Sequence, residues 1–245
     1  MYTSQSIIIS TLKKIKIIDI LFYASFLISV IISIYLDIRI LRYAMPFVIA
    51  TILLKYINLT KNKAQPLFVF ALLVMLLSDI LSFYDFKTYF VWISILVSIY
   101  LICCTLILKR YINIGKLKPI WSISVLISAL STSYIIYTTL KLLINIVPNN
   151  QVFFVVMCAT CLIIYAVTFA IIYLNDNYSA GTILLTSGIF MIFQITLSSI
   201  NKFLYFDKTF SVLTVICHVI SIYLFMKFIT ETEVIQSKDI KENFI

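Results

Sequence analysis

The chain has 245 residues, of which 62% are hydrophobic and only 12% charged, and its mean hydropathy of +1.10 lies far outside the range of soluble domains. It reads as an integral membrane protein. A net charge of +9 would suit nucleic acid, but the Lys and Arg fall mostly between apolar blocks, where they act as topology signals, so membrane lipids rather than nucleic acid are the expected partners.

The apolar blocks are continuous and lack the alternating polarity of a barrel strand, so the spanning elements are helices. Blocks at 17–36, 40–57, 66–84, 88–109, 119–144, 151–174, 179–200 and 207–229 predict an all-α polytopic bundle of eight transmembrane helices. Scarce Gly (3) and Pro (4) favour long unbroken helices over the interrupted ones of many transporters. Residues 1–16 form an expected cytoplasmic segment, 17–229 the membrane domain and 230–245 a cytoplasmic tail. The basic start LKKIK precedes a block of full spanning length and reads as a retained first helix, not a cleaved signal.

Taken in chain order, the second block is interrupted by Arg42 and Pro46. The third, within LLVMLLSDILSFYDF at 72–86, buries Asp79 among Leu, Val, Met and Ile, with Ser78 beside it and Ser82 one turn on. An ionised side chain in hydrocarbon costs about 3 kcal/mol on the mild insertion scale, so one that persists is paired, buried against protein or functional. The fifth block carries Ser124, Ser128, Ser131 and Thr138 near one face, a pattern that suits close helix packing, and Lys141 near its end, from where the ammonium snorkels to the interface.

The sixth block holds Cys158-Ala-Thr-Cys161. Without a second Cys pair and in an apolar helical setting, this CxxC suits neither a redox turn nor a zinc knuckle, and the five cysteines read as free thiols. The seventh block carries Gly181, Ser187, Gly188, Thr196 and Ser198, again a packing pattern, together with Gln194. The eighth holds His218, the one histidine, close to its middle. Interhelical hydrogen bonding is the ordinary use of Gln194 and His218 at such positions, while an amide near an Asp also suits orienting a lipid headgroup. No hydrolase elbow, metal cluster or phosphate-binding loop is present, and no motif calls for a cofactor.

Counting Lys and Arg in alternate connections places thirteen on the side of the N-terminus and five on the other. The bias predicts both termini in the cytoplasm. With that orientation Asp79 lies about 6 Å and Gln194 about 7 Å beyond the midpoints of their blocks, so the two fall at one depth in the outer half.

Several local strings resemble the YhhN-like membrane family, which includes lysoplasmalogenases. FALLVMLLSDILSFYDFKTYF looks like that family's third segment, with Asp79 at its acidic position, and QITLSSINKF at 194–203 is similar to its seventh-helix pattern. The likeness spans about residues 20 to 230. The departures are specific: Met45 stands where the family has a lysine before Pro46, Val97 where it often has histidine, Gln194 where it has serine and Ile195 where it has a second aspartate. Enzymatic members hydrolyse the vinyl-ether bond of lysoplasmalogens, chemistry that needs a proton donor and a group to position water. The resemblance therefore implies a divergent member of a bacterial inner membrane with a lysophospholipid substrate or ligand. Asp79 is the candidate acid or base, and Ser78, Ser82, Gln194 and His218 are candidate substrate contacts. Of the first aspartate, the lysine, the histidine and the second aspartate expected of an active member only Asp79 remains, so an inherited activity is expected to be weakened or absent. A non-catalytic lipid-binding or scaffolding protein is the alternative, and a small-solute transporter the third. An enzyme should bring a second protonatable group within reach of Asp79 at a cavity, and a lipid binder should show an apolar groove without one.

Overall fold

A computed structural model describes residues 2–36, 38–112, 123–175, 178 and 180–232. Eight long helices follow in order: α1 (Tyr2–Tyr35), α2 (Leu41–Thr60), α3 (Pro66–Asp85), α4 (Phe90–Leu108), α5 (Ile123–Ile146), α6 (Val152–Asn175), α7 (Gly181–Phe203) and α8 (Lys208–Glu231). Among the described residues seven are long and apolar enough to cross a membrane, α1 through its part Ile17–Tyr35. The chain is a polytopic all-α membrane bundle. The ends of the expected blocks shift by a few residues except at the first, where α1 begins at Tyr2 and takes in the segment expected to precede the membrane domain, and the interrupted second block is one continuous helix with Pro46 in its second turn. There the missing N–H leaves the Arg42 carbonyl without its helical donor, and the ring crowds that same carbonyl. The expected tail beyond Thr232 lies outside the described residues.

Contacts between neighbours run α1, α2, α3, α4, α6, α7, α8 and back to α1, a closed ring, with α2 also touching α8 and α5 packed outside against α6 and α7. Side chains that point away from this ring are large and apolar: Leu27, Phe47, Leu54, Phe70, Trp92 and Tyr134 are all exposed. On a soluble protein such a surface would mark an interface, whereas here it is the face that lipid covers. Aromatic residues close the bundle at both ends. Phe203 meets Phe86 and Phe90 edge-on at one end, and Tyr111 meets Tyr178 and Phe228 at the other.

Hydroxyl side chains in the bundle mostly donate to carbonyls one turn back, as Ser98 does to Ser94, Thr105 to Leu101 and Thr139 to Ile135. This satisfies them inside their own helix and lets them sit in an apolar medium. It also explains a correction. Ser131 and Thr138, expected to pack α5 against a neighbour, are exposed, and α5 instead presents Ile136, Thr139, Leu140 and Leu143 inward; the side chains of Ser124 and Ser128 lie outside the described residues. The expectation for α7 fares differently. Ser187 donates to the Ser221 carbonyl of α8 at 2.7 Å, and Gly188 lies flat against the Phe169 ring of α6. A Cβ at Gly188 would sit 2.3 Å from Phe169 Cε1. Gly188→Ala is expected to cost about 1–3 kcal/mol, and thermal unfolding in one detergent should show Phe169→Leu recovering part of the loss.

Lys55 requires a second correction. Counted above with the connection cations, it lies within α2, 2.6 Å from Asp19 of α1, with Tyr223 of α8 at 3.3 Å and the rings of Phe22 and Tyr223 around it. The two charges neutralise each other and tie three helices together. Their side chains are 12% and 34% exposed respectively. Asp19→Asn strands the more buried partner and should lower the melting temperature more than Lys55→Met, whose orphaned carboxylate can reach water or headgroups. Equal losses in the two variants would contradict this asymmetry.

Candidate functional site

α3 and α8 are not neighbours in the ring, yet a side-chain bridge joins them across its interior. His218 Nε2 lies 2.9 Å from Asp79 Oδ2, with His218 2% and Asp79 6% exposed. The carboxylate that stands out in the third block is therefore paired with the only histidine, 139 positions along the chain. With the proton on Nε2 the ring donates to the carboxylate, and with it on Nδ1 the bond needs a protonated Asp79 carboxyl as donor. In both forms His218 Nδ1 is buried without a hydrogen-bond partner.

Secondary structure sets up this meeting. α3 begins at Pro66, whose fixed φ suits the first helical position, and runs unbroken past Asp79. α8 is capped at its N-terminus by Asp207, whose carboxylate accepts the Thr209 N–H at 2.6 Å. The Thr209 hydroxyl and N–H hold the Asp207 carboxyl below the usual carboxylate range, so this cap contributes above that range and is lost as pH falls through it. Asn201 of α7 completes the corner, donating to Ser211 Oγ and accepting from the Asp207 N–H, both at 2.8 Å. Ser221 Oγ donates to the His218 carbonyl and Ser187 bonds the Ser221 carbonyl, which fixes α8 against α7 on the far side of the histidine.

Two cavity lobes meet at Asp79. The larger, about 100 Å³, lies between α3, α4, α5, α6 and α7 and is lined mainly by apolar side chains such as Met75, Phe90, Ile93, Val97, Leu140 and Leu162. The smaller, about 30 Å³, lies between α2, α3, α7 and α8 and is richer in polar groups, with Asn201, Lys202, Ser211, Thr214 and His218. Asp79, Ser82, Gln194 and Ser198 line both lobes and form the wall between them.

Asp79, Ser82, Gln194 and His218 thus converge on one place, and Ser78 lines the apolar lobe beside them. Asp79 and Gln194, expected at one depth, line the same wall. Gln194 departs from its ordinary use: its Oε1 is buried with no protein partner, so this oxygen does not glue helices together. Lys141 is exposed on α5, away from both lobes. All five cysteines are free. Cys158 faces the apolar lobe, and the CxxC lies on one continuous helix. Among the described residues no three His, Cys, Asp or Glu side chains gather as a metal site would require. Sequence reading passed over Lys202, whose ammonium is 5.9 Å from the Phe83 ring and faces the polar lobe. Its position in the last turn made it look like a connection cation.

No family model matches the chain, no curated protein matches it, and no solved structure matches it. Function therefore rests on the chemistry of the site.

Proposed function

We propose that the protein is an intramembrane hydrolase that cleaves the vinyl-ether bond of a lysophospholipid, with Asp79 as acid and base and His218 as its proton partner. The observation that carries this reading is the buried Asp79–His218 hydrogen bond at the wall of a cavity with one apolar and one polar lobe. A cavity that only held lipid would need no such pair, and burying one costs desolvation that good packing would avoid. The likeness to YhhN-like strings, with Asp79 at the acidic position, supports the same chemistry; the missing second aspartate is the departure that His218 offsets.

Vinyl-ether cleavage needs little else. A proton from the pair goes to the alkene carbon remote from oxygen, leaving an oxocarbenium ion. Water adds to the carbon beside oxygen and returns its proton to the pair. The resulting hemiacetal collapses: its hydroxyl gives its proton to the pair and becomes the aldehyde carbonyl as the C–O bond to glycerol breaks, the glycerol oxygen takes a proton from the pair, and an aldehyde and a glycerophospho-base leave. No protein nucleophile, oxyanion hole or metal enters this sequence, whereas ester hydrolysis would need donors placed for a tetrahedral oxyanion.

The excess of Lys and Arg on one side supports an orientation with both termini in the cytoplasm, and moving Lys55 into α2 leaves that bias standing; the likeness to YhhN-like strings and the Ile-, Lys- and Asn-rich composition support a bacterial inner membrane. Purified protein in nanodiscs, given 1-alkenyl, 1-acyl and 1-alkyl lysophospholipids and followed by mass spectrometry, should release aldehyde from the first alone. Failure of a folded preparation to release aldehyde sinks the hydrolase reading and leaves a lipid-binding protein.

A further inference from the structure

Two buried polar atoms beside Asp79 have no partner within the protein, Gln194 Oε1 and His218 Nδ1. Both residues line the polar lobe. At about 30 Å³ this lobe has room for about two water molecules and is too small for a lipid headgroup. Its walls carry one polar stripe from each of two helices, Gln194, Ser198 and Lys202 on α7 and Ser211, Thr214 and His218 on α8, each at the three- and four-residue spacing that keeps side chains on one face. Both stripes run from Asp79 to the α7–α8 corner, where Asn201 bonds Ser211 and the Asp207 N–H. From Ser211 to His218 the path covers about 10 Å along the axis. Ser211 and Thr214 donate to carbonyls of their own helix, so the groups at the inner end that still need a partner are Gln194 Oε1 and His218 Nδ1.

An alkyl chain in the larger lobe covers one side of the wall that Asp79 and Gln194 share, and the other side borders the polar lobe. We infer that the polar lobe is the water site of the hydrolase, entered from the α7–α8 corner, where Gln194 Oε1 and His218 Nδ1 hold the molecule that adds to the substrate, so that lipid and water reach Asp79 from opposite sides. The inference rests on the hydrolase reading for the reaction that this water joins. Gln194 Oε1 accepts one hydrogen of the water and leaves a lone pair of its oxygen for carbon. The new C–O bond forms as one O–H bond breaks, and the released proton goes to the Asp79–His218 pair, which has just given one to the alkene carbon. An amide takes no proton itself, so Gln194 contributes orientation alone.

His218 is the only histidine, so isotope-labelled histidine reports on this lobe alone and needs no turnover to do so. Proton-detected NMR of the full-length protein should show Nδ1 in contact with water, and the contact should persist when an uncleavable 1-O-alkyl lysophospholipid fills the apolar lobe. Thr214→Leu adds bulk to the polar lobe and not to the other, and it should remove that contact. Aldehyde release from a 1-alkenyl lysophospholipid is then measured on the same proteins. Gln194→Met keeps the length of the side chain without its acceptor. This variant and Thr214→Leu should each lower kcat by about 10²-fold, the cost of a misplaced reactant, with KM within a few-fold of wild type.

A dry Nδ1 in a wild type that releases aldehyde overturns this inference and leaves the hydrolase reading standing. Loss of the water contact when the lipid analogue binds does the same, because the water would then occupy the lobe that the chain fills. An unchanged kcat in Gln194→Met, or a raised KM with kcat kept, takes Gln194 away from the water and overturns the inference as well. Should Thr214→Leu fail to fold, the wild-type contact and Gln194→Met decide the matter between them. A water contact in a folded wild type that releases no aldehyde removes the hydrolase reading, and with it the reaction this water was to supply, while the hydrated lobe itself stands.

Discussion

Asp79→Asn is expected to lower turnover of a 1-alkenyl lysophospholipid by about 10²–10⁴-fold, the range over which one positioned acid or base acts, with KM changed by no more than a few-fold. The amide keeps the shape of the carboxylate and can still hydrogen-bond His218 Nε2 across the 2.9 Å now bridged, so the bundle should persist. What it cannot do is deliver a proton to carbon or take one from water. Asn at this position keeps the shape of the wall, and the apolar lining of the larger lobe, with Met75, Phe90, Val97 and Leu162, is unchanged, which is why binding should survive while chemistry stops. Steady-state kinetics by aldehyde trapping measure both quantities. A variant that retains a third or more of the wild-type kcat would remove Asp79 from the reaction. His218→Gln should lose less, because His218 lines only the polar lobe and acts through Asp79; a smaller kcat loss than that of Asp79→Asn, with the pH profile of kcat shifted, would mark it as a positioning residue.

Much of the bundle was legible in the sequence because length and hydropathy determine a membrane helix almost alone: each predicted block from the second to the eighth overlaps one helix to within a few residues. Depth along a helix was legible for the same reason, and it brought Asp79 and Gln194 to one level. Rotation and neighbourhood were not. Hydropathy says nothing about which helices close a ring, so the meeting of Asp79 with His218 across two non-adjacent helices left no local trace. The misreadings share a cause. Ser131 and Thr138 looked like interface residues, but a hydroxyl satisfied by its own helix can equally face lipid. Lys55 and Lys202 looked like connection cations, but an ammonium near a helix end can turn inward when a carboxylate or a cavity waits there. Gly188 was read correctly, because a glycine inside a helix has little use other than close approach.

The second large effect concerns stability and separates the two uses of a buried polar pair. Asp79→Leu leaves His218 with both ring nitrogens unpartnered, since Nδ1 is already an orphan. His218→Leu leaves a buried carboxylate alone. Each single variant should lose about 2–5 kcal/mol. The double variant Asp79→Leu, His218→Leu removes both polar groups at once and replaces them with apolar bulk in a cavity wall that is otherwise largely apolar on one side. It should recover most of the loss, giving strong coupling in a double-mutant cycle. Thermal or denaturant unfolding in one detergent measures the cycle, and aldehyde release is measured on the same four proteins. If the pair exists to hold α3 against α8, the double variant should unfold as easily as either single one. A pair kept for chemistry gives the opposite pattern, a double variant nearly as stable as wild type and catalytically dead. Burial of an ion pair is a poor way to gain stability compared with well-packed apolar residues, and Gly188, Ser187 and the Asn201 corner already fix the helices that surround it. A stable but inactive double variant is therefore the expected result.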